Sequence, residues 1–179
     1  MRAALPAVLL AALLVVACGG GDDGGVSRVT VRAEVVEADA PASVDVSAVS
    51  ENDRGEFEHE VRVTWNGAQT ARLADARFAH HVESDGGSLV TLGRGCGASQ
   101  DEASDELFIA CTADLQLILV QPGETHVYTV RVPREVGDVR LRRGTYVVEE
   151  PIHWWQQATI EAEPTAEGEF TVRLTYEVE

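Results

Sequence analysis

Phe57-Glu58-His59-Glu60-Val61-Arg62-Val63-Thr64-Trp65 decides the fold. Phe57, His59, Val61, Val63 and Trp65 alternate with four charged or hydroxylated residues, and a period of two puts the two sets on opposite faces of a β-strand. The C-terminal stretch repeats the pattern: Phe170, Val172, Leu174, Tyr176 and Val178 oppose Glu169, Thr171, Arg173, Thr175 and Glu177. So does the stretch after Val26, where Val29, Val31, Ala33 and Val35 oppose Arg28, Thr30, Arg32 and Glu34. Working inward, Val44, Val46 and Ala48 resume the alternation after Ala40-Pro41-Ala42, and Thr125 to Val132 carries it again. Leu107 to Ala110 and Leu115 to Val120 are apolar enough for central strands. Gly144 to Val148 opens a strand that Pro151 interrupts before Ile152-His153-Trp154-Trp155.

Turn residues separate these runs. Glu51 to Gly55, Asp85-Gly86-Gly87, Gln121-Pro122-Gly123-Glu124 and Gly137-Asp138 carry the Gly, Pro, Asn and Asp that accept turn dihedrals. Asn66-Gly67 predicts a tight hairpin after Trp65. Thr70 to Glu83 has a composition that tolerates helix, but Ala74, Ala76, Phe78, His80 and Val82 alternate, and extended structure is the reading adopted. The glycines of Gly93-Arg94-Gly95-Cys96-Gly97 predict a bulge or a close approach of two backbones. With no internal repeat and no amphipathic helix, residues 26–179 read as one all-β domain, an antiparallel sandwich of about 7–10 short strands.

The chain has 179 residues, enough for one domain with a proper core. It contains 30 acidic and 14 basic residues, for a net charge of −16. There is no Lys, and the Arg residues are scattered singly, so no basic footprint for nucleic acid is present. Anionic membrane surfaces are disfavoured for the same reason. Solubility is the reading adopted for the acidity, ahead of a salty habitat or a cationic partner.

Arg2 followed by the apolar run Ala3 to Ala17 has the length of a signal-peptide core and falls short of a bilayer span. Val15-Val16-Ala17-Cys18 closely resembles the lipobox of bacterial lipoproteins. That resemblance implies a signal peptide over 1–17, lipidation of the Cys18 thiol, cleavage before it, and acylation of the new amino group, since one chain alone anchors only marginally. Residues 18–25, rich in Gly and Asp, then form a flexible tether. The expected location is the cell membrane or outer membrane, lipid-anchored and facing an extracytoplasmic compartment. Gly19 stands where an Asp commonly retains lipoproteins at the inner membrane, which favours the outer membrane in a cell with two. In an exported chain the remaining cysteines, Cys96 and Cys111, predict a disulfide.

Pro122-Gly123-Glu124-Thr125, then Tyr128, Val130 and Val132, then Gly144-Thr145-Tyr146, resemble the late strands of immunoglobulin-like bacterial domains, the BsuPI-type proteinase-inhibitor domain among them. The resemblance covers about a third of the mature chain and implies an immunoglobulin-like sandwich; no functional residue is carried over from it. The early Asn-rich and Ser-Gly-Gln motifs of BsuPI domains are missing.

No catalytic, cofactor or metal constellation stands at diagnostic spacing. Gly93 to Ala98 fits G-x-G-x-x-A only superficially, lacking the strand and helix of a dinucleotide site. Ser99 has no nucleophile-elbow pattern around it. His80 and His81 are adjacent and point to opposite strand faces, while His59, His126 and His153 are isolated. Asp101, Glu102, Asp105 and Glu106 lack calcium-loop spacing and read as a solvated acidic loop, Ser99 to Glu106, tied at its base by the disulfide. In a strand Trp154-Trp155 would place one indole inward and one outward, and an outward one suits stacking on a sugar or anchoring a partner; packing of both in the core is the reading adopted. The expectation is a non-catalytic binding or structural module of the cell envelope, with a protein or glycan partner and no cofactor. The alternatives are a BsuPI-like protease inhibitor acting through Ser99 to Glu106, and a carbohydrate-binding module using Trp154 or Trp155.

Overall fold

The computed structural model describes residues 25–112, 116–157 and 162–179. The lipobox, Cys18 and the tether up to residue 24 lie outside them. In chain order the strands are β1 (Val29–Val35), β2 (Ala42–Val46), β3 (Ser50–Glu51), β4 (Phe57–Trp65), β5 (Ala71–Ala74), β6 (His80–Ser84), β7 (Gly87–Thr91) and β8 (Cys96–Gln100). There follow β9 (Leu107–Cys111), β10 (Leu117–Val120), β11 (Thr125–Val132), β12 (Glu135–Val136), β13 (Val139–Arg140), β14 (Gly144–Gln156) and β15 (Ala166–Val178). There is no helix among the described residues, and every strand pair is antiparallel.

A five-stranded sheet, ordered β1-β15-β14-β5-β10, faces a four-stranded one, β11-β4-β2 with β3 also on β4. The arrangement is that of a β-sandwich. The strand total exceeds the expected range because β6–β7, β8–β9 and β12–β13 form three separate two-stranded hairpins.

Alternation explains the core. On β4, Phe57, Val61, Val63 and Trp65 are buried, and on β15 Phe170, Val172, Leu174, Tyr176 and Val178 meet them from the other sheet. Each such side chain removed from water stabilises the fold by roughly 1.5–3 kcal/mol. Two contacts cross between the sheets: Trp65 lies 5.4 Å from Trp154, ring centre to ring centre, and His59 Nε2 shares a hydrogen bond of 3.0 Å with the Tyr176 hydroxyl.

The Asn66-Gly67 hairpin is not formed. β4 pairs with β2 and β11, whereas β5 pairs with β14 and β10, so residues 66–70 make a corner between the sheets. Trp65 is the reason. Its indole folds under the corner, Nε1 donates to the Gln69 carbonyl at 2.7 Å, and a Cβ on Gly67 would overlap the ring. Gln121 to Glu124 does turn as expected, with Gly123 at φ 81° and Glu124 N–H donating to Gln121 O at 2.9 Å, and it too passes between sheets.

The expected extended structure is found at Ala71–Ala74 and again from His80, but residues 75–79 between them are irregular, with Phe78 at φ 47°, and the alternation slips phase there: Ala71 and Leu73 are buried on β5, and Ala76 and Phe78 after it. The expected close backbone approach is found at Gly93, where a Cβ would collide with the Arg77 carbonyl oxygen.

Candidate functional site at the far end of the long ribbon

β14 and β15 pair along thirteen residues each, from Gly144↔Val178 to Gln156↔Ala166. At 3.2–3.4 Å per residue the ribbon is about 40 Å long, and its two ends are built differently.

The Val178 end receives the N-terminal approach. Val29 pairs with Val178, and Ser27 N–H donates to Glu179 O at 2.9 Å. Arg134 locks this corner: it donates to the Val26 carbonyl and, at 2.9 Å, to Gly55 O, pairs with Glu51 at 3.0 Å, and lies 4.2 Å over the Phe57 ring. The described residues therefore begin at this end.

The Gln156 end carries a cleft. Trp154 and Trp155 divide as strand geometry requires. Trp154 turns inward against Trp65 and lies over Gly168, its cross-strand partner, with Nε1 buried and unpaired. Trp155 turns outward and stands half-buried in a cross-strand row Glu167–Trp155–Arg72–Leu119. A cleft of about 370 Å³ opens beside it, walled by Trp155, Arg72, Gln157, Glu163, Pro164 and Leu117 among others. Its volume falls within the usual range of ligand pockets. Gln157 donates its backbone N–H to Thr70 O at 2.9 Å, its residue is 1 % exposed, and its side-chain Nε2 has no hydrogen-bond partner.

Other polar groups are bound up in the fold. Cys96 and Cys111 form the expected disulfide, at directly paired positions of β8 and β9. The acidic loop between these strands spans 101–106, because Ser99 and Gln100 belong to β8. The loop spends its own carboxylate: Asp101 accepts from Ala103 N–H at 3.0 Å and Ser104 Oγ at 2.9 Å, bonds that hold it below the usual Asp range. His81 sits 3.7 Å from Glu83 and His153 2.9 Å from Glu169, both on the surface. Burial pushes His126 down and drives His59 down to about 4, so His59 is neutral at pH 7. Among the described residues no three His, Cys, Asp or Glu side chains gather as a metal-binding group would.

Two features went unread in the sequence. Glu150 is an acid in phase with the buried Tyr146, Val148 and Ile152; it points inward, accepts Arg77 N–H on Oε1 at 2.8 Å and meets His80 Nε2 on Oε2 at 2.8 Å. The signal was present as a carboxylate on the apolar face. Gln157 gave no such signal, because it follows the strand and its burial depends on tertiary packing.

The chain matches no protein-family model, and neither the curated proteins nor the solved structures provide a match.

Proposed function

We propose that the chain is a lipid-anchored, extracytoplasmic, immunoglobulin-like binding module without catalytic function, anchored through Cys18 and engaging an envelope component at the end farthest from the membrane. One observation carries the reading: the first described residues, Val26 to Val29, and the Trp155 cleft lie at opposite ends of a ribbon about 40 Å long, which suits a domain that stands on a membrane and reaches away from it. The lipobox residues Val15 to Cys18 support the anchor. Support for the immunoglobulin-like class comes from Tyr146, which opens a long strand and donates its hydroxyl to Arg142 O, four residues upstream, at 2.9 Å. That bond resembles the tyrosine corner of such sandwiches, although here the disulfide staples one hairpin rather than two sheets.

Fractionation of cells expressing Cys18→Ser tests the anchor. The variant is expected in the soluble fraction, folded, while the parent stays with the membrane; a variant that remains membrane-bound refutes lipidation at Cys18. Pull-down of the native lipidated protein from its own membranes then tests the binding role.

The inhibitor reading has one observation of its own. The β8–β9 hairpin carries a disulfide at its base and a tip braced by Asp101, so the 101–106 loop is held in one shape, as a protease-directed loop would need. Titration against a protease panel decides it.

A further inference from the structure

Trp155 is held as a platform. His153, two residues earlier on the same face, runs nearly parallel to the indole, at 28° with ring centres 6.3 Å apart, and is itself pinned by Glu169 at 2.9 Å. His153 is not a wall of the cleft, so the stack braces the indole from the side away from it. Gln157 supplies the second element. The residue is one of the cleft's walls, its Nε2 is buried without an acceptor, and a buried amide donor left unpaired is costly to the fold. Glu163, exposed in the same β14–β15 connection, adds an acceptor, and Leu117 an apolar wall.

We propose that this cleft binds an uncharged pyranose, as a mono- or disaccharide unit of an envelope glycan. The inference rests on the binding role above and names its ligand class. A pyranose ring offers an apolar C–H face to stack on an indole, and hydroxyls at its rim that both accept and donate. A small turn of the Gln157 amide brings its buried Nε2 to donate to one ring substituent, and the Glu163 carboxylate accepts from another. A purely apolar ligand would leave the Gln157 amide unpaired, and a polyanion would meet a chain of net charge −16. A neutral saccharide meets neither obstacle.

Isothermal titration of the full chain, in a detergent without sugar headgroups, against cello-, malto-, manno- and chito-oligosaccharides tests the assignment, with polygalacturonate as the anionic control. One neutral series is expected to bind and polygalacturonate not to. Trp155→Ala is expected to weaken that binding at least about tenfold with the folded circular-dichroism spectrum intact. Gln157→Leu is expected to weaken it about tenfold while leaving thermal stability unchanged or raised, a combination that a merely structural Gln would not give. Failure of every neutral series at millimolar concentration overturns the proposal, as does parent-like affinity in both variants or equal binding of polygalacturonate. A rise in stability for Gln157→Leu without saccharide binding assigns the amide to solvent and overturns it too. None of these outcomes touches Cys18, so the anchor stands or falls separately. A protein partner pulled down through Trp155 in the absence of glycan binding would leave the binding role intact and remove only the sugar.

Discussion

The two facing sheets and the excursion from Asp75 to Thr112 satisfy their backbone polar groups by opposite means. In the sheets the work is done by ladders, of which the β14–β15 ribbon is the longest, and side chains are left free to pack. In the excursion the ladders are five residues long and form separate hairpins; one backbone bridge joins Leu92 to Arg131 of β11, at 2.7 and 2.8 Å, and single side chains make further ties. Glu150 takes Arg77 N–H, Thr91 Oγ1 takes His80 N–H at 3.0 Å, Arg77 Nη1 reaches Thr112 O at 2.6 Å, and Arg131 Nη2 reaches Cys96 O at 3.2 Å. Phe78, fully buried at φ 47°, sits in the left-handed region that a bulky residue adopts only when its surroundings impose it. Regular pairing makes stability a property of many equivalent contacts; the excursion concentrates it in a few unlike ones.

The largest effect should come from the sheets. Trp65 is fully buried, packs against Trp154 at a tilt of 54°, and carries the corner to β5 through its bond to Gln69. Trp65→Ala leaves a cavity where the sheets meet and should cost about 3–5 kcal/mol, read as a lowered denaturation midpoint with an unchanged slope. A loss under about 1 kcal/mol would mean that the sheets do not depend on this contact.

These regions also differ in how far they could be read from residues alone. Phe57 to Trp65 and Phe170 to Val178 were legible because a half-buried strand imposes period two on its own sequence; for Trp154-Trp155 the same period set the rings on opposite faces, yet packing of both in the core was the reading adopted, and Trp155 lines a cleft instead. Which was which depended on the phase of β14 relative to Ile152. The Asn66-Gly67 turn misled because a glycine needed for clearance over an indole looks the same in sequence as one needed for positive φ. Glu150 was marked only as a carboxylate on an apolar face and Gln157 not at all, and the partners of both lay beyond reach for a common reason: they come from segments distant in the chain, Arg77 and His80 in one case, Thr70 in the other. A candidate site made of such groups is visible only once the strands are placed.

A second prediction probes the polar link between the sheets. Burial lowers the folded-state pKa of His59 to about 4, below the 6.5 of an exposed imidazole. The unfolded chain therefore binds this proton first, and stability is lost as pH falls from about 6.5 to about 4, by on the order of 3 kcal/mol when complete. Denaturation at pH 7 and pH 4.5 should show a larger drop for the parent than for His59→Gln, which keeps a polar group near Tyr176 and cannot titrate. Equal drops would place the acid sensitivity among the carboxylates.

The smallest effect is the sharpest test of the contrast, because one substitution made in two places should change sign. Tyr176 and Tyr128 are both buried, and burial raises both phenols, so each is neutral at ordinary pH. Tyr176 bonds His59 across the sheets; Tyr176→Phe strands the imidazole Nε2 and should cost about 1–3 kcal/mol. Tyr128 packs edge-on against Phe78 at 5.2 Å and His126 at 4.6 Å, where sheet and excursion meet. Its hydroxyl has no partner: the Ala76 backbone acts on it electrostatically but outside hydrogen-bond geometry. Removing that oxygen relieves a buried, unpaired group and keeps the ring contacts, so Tyr128→Phe should leave stability unchanged or raise it by up to about 1 kcal/mol. Paired denaturation curves measure both. If Tyr128→Phe instead costs as much as Tyr176→Phe, the hydroxyl is bonded in solution and the seam is satisfied as fully as the sheets are.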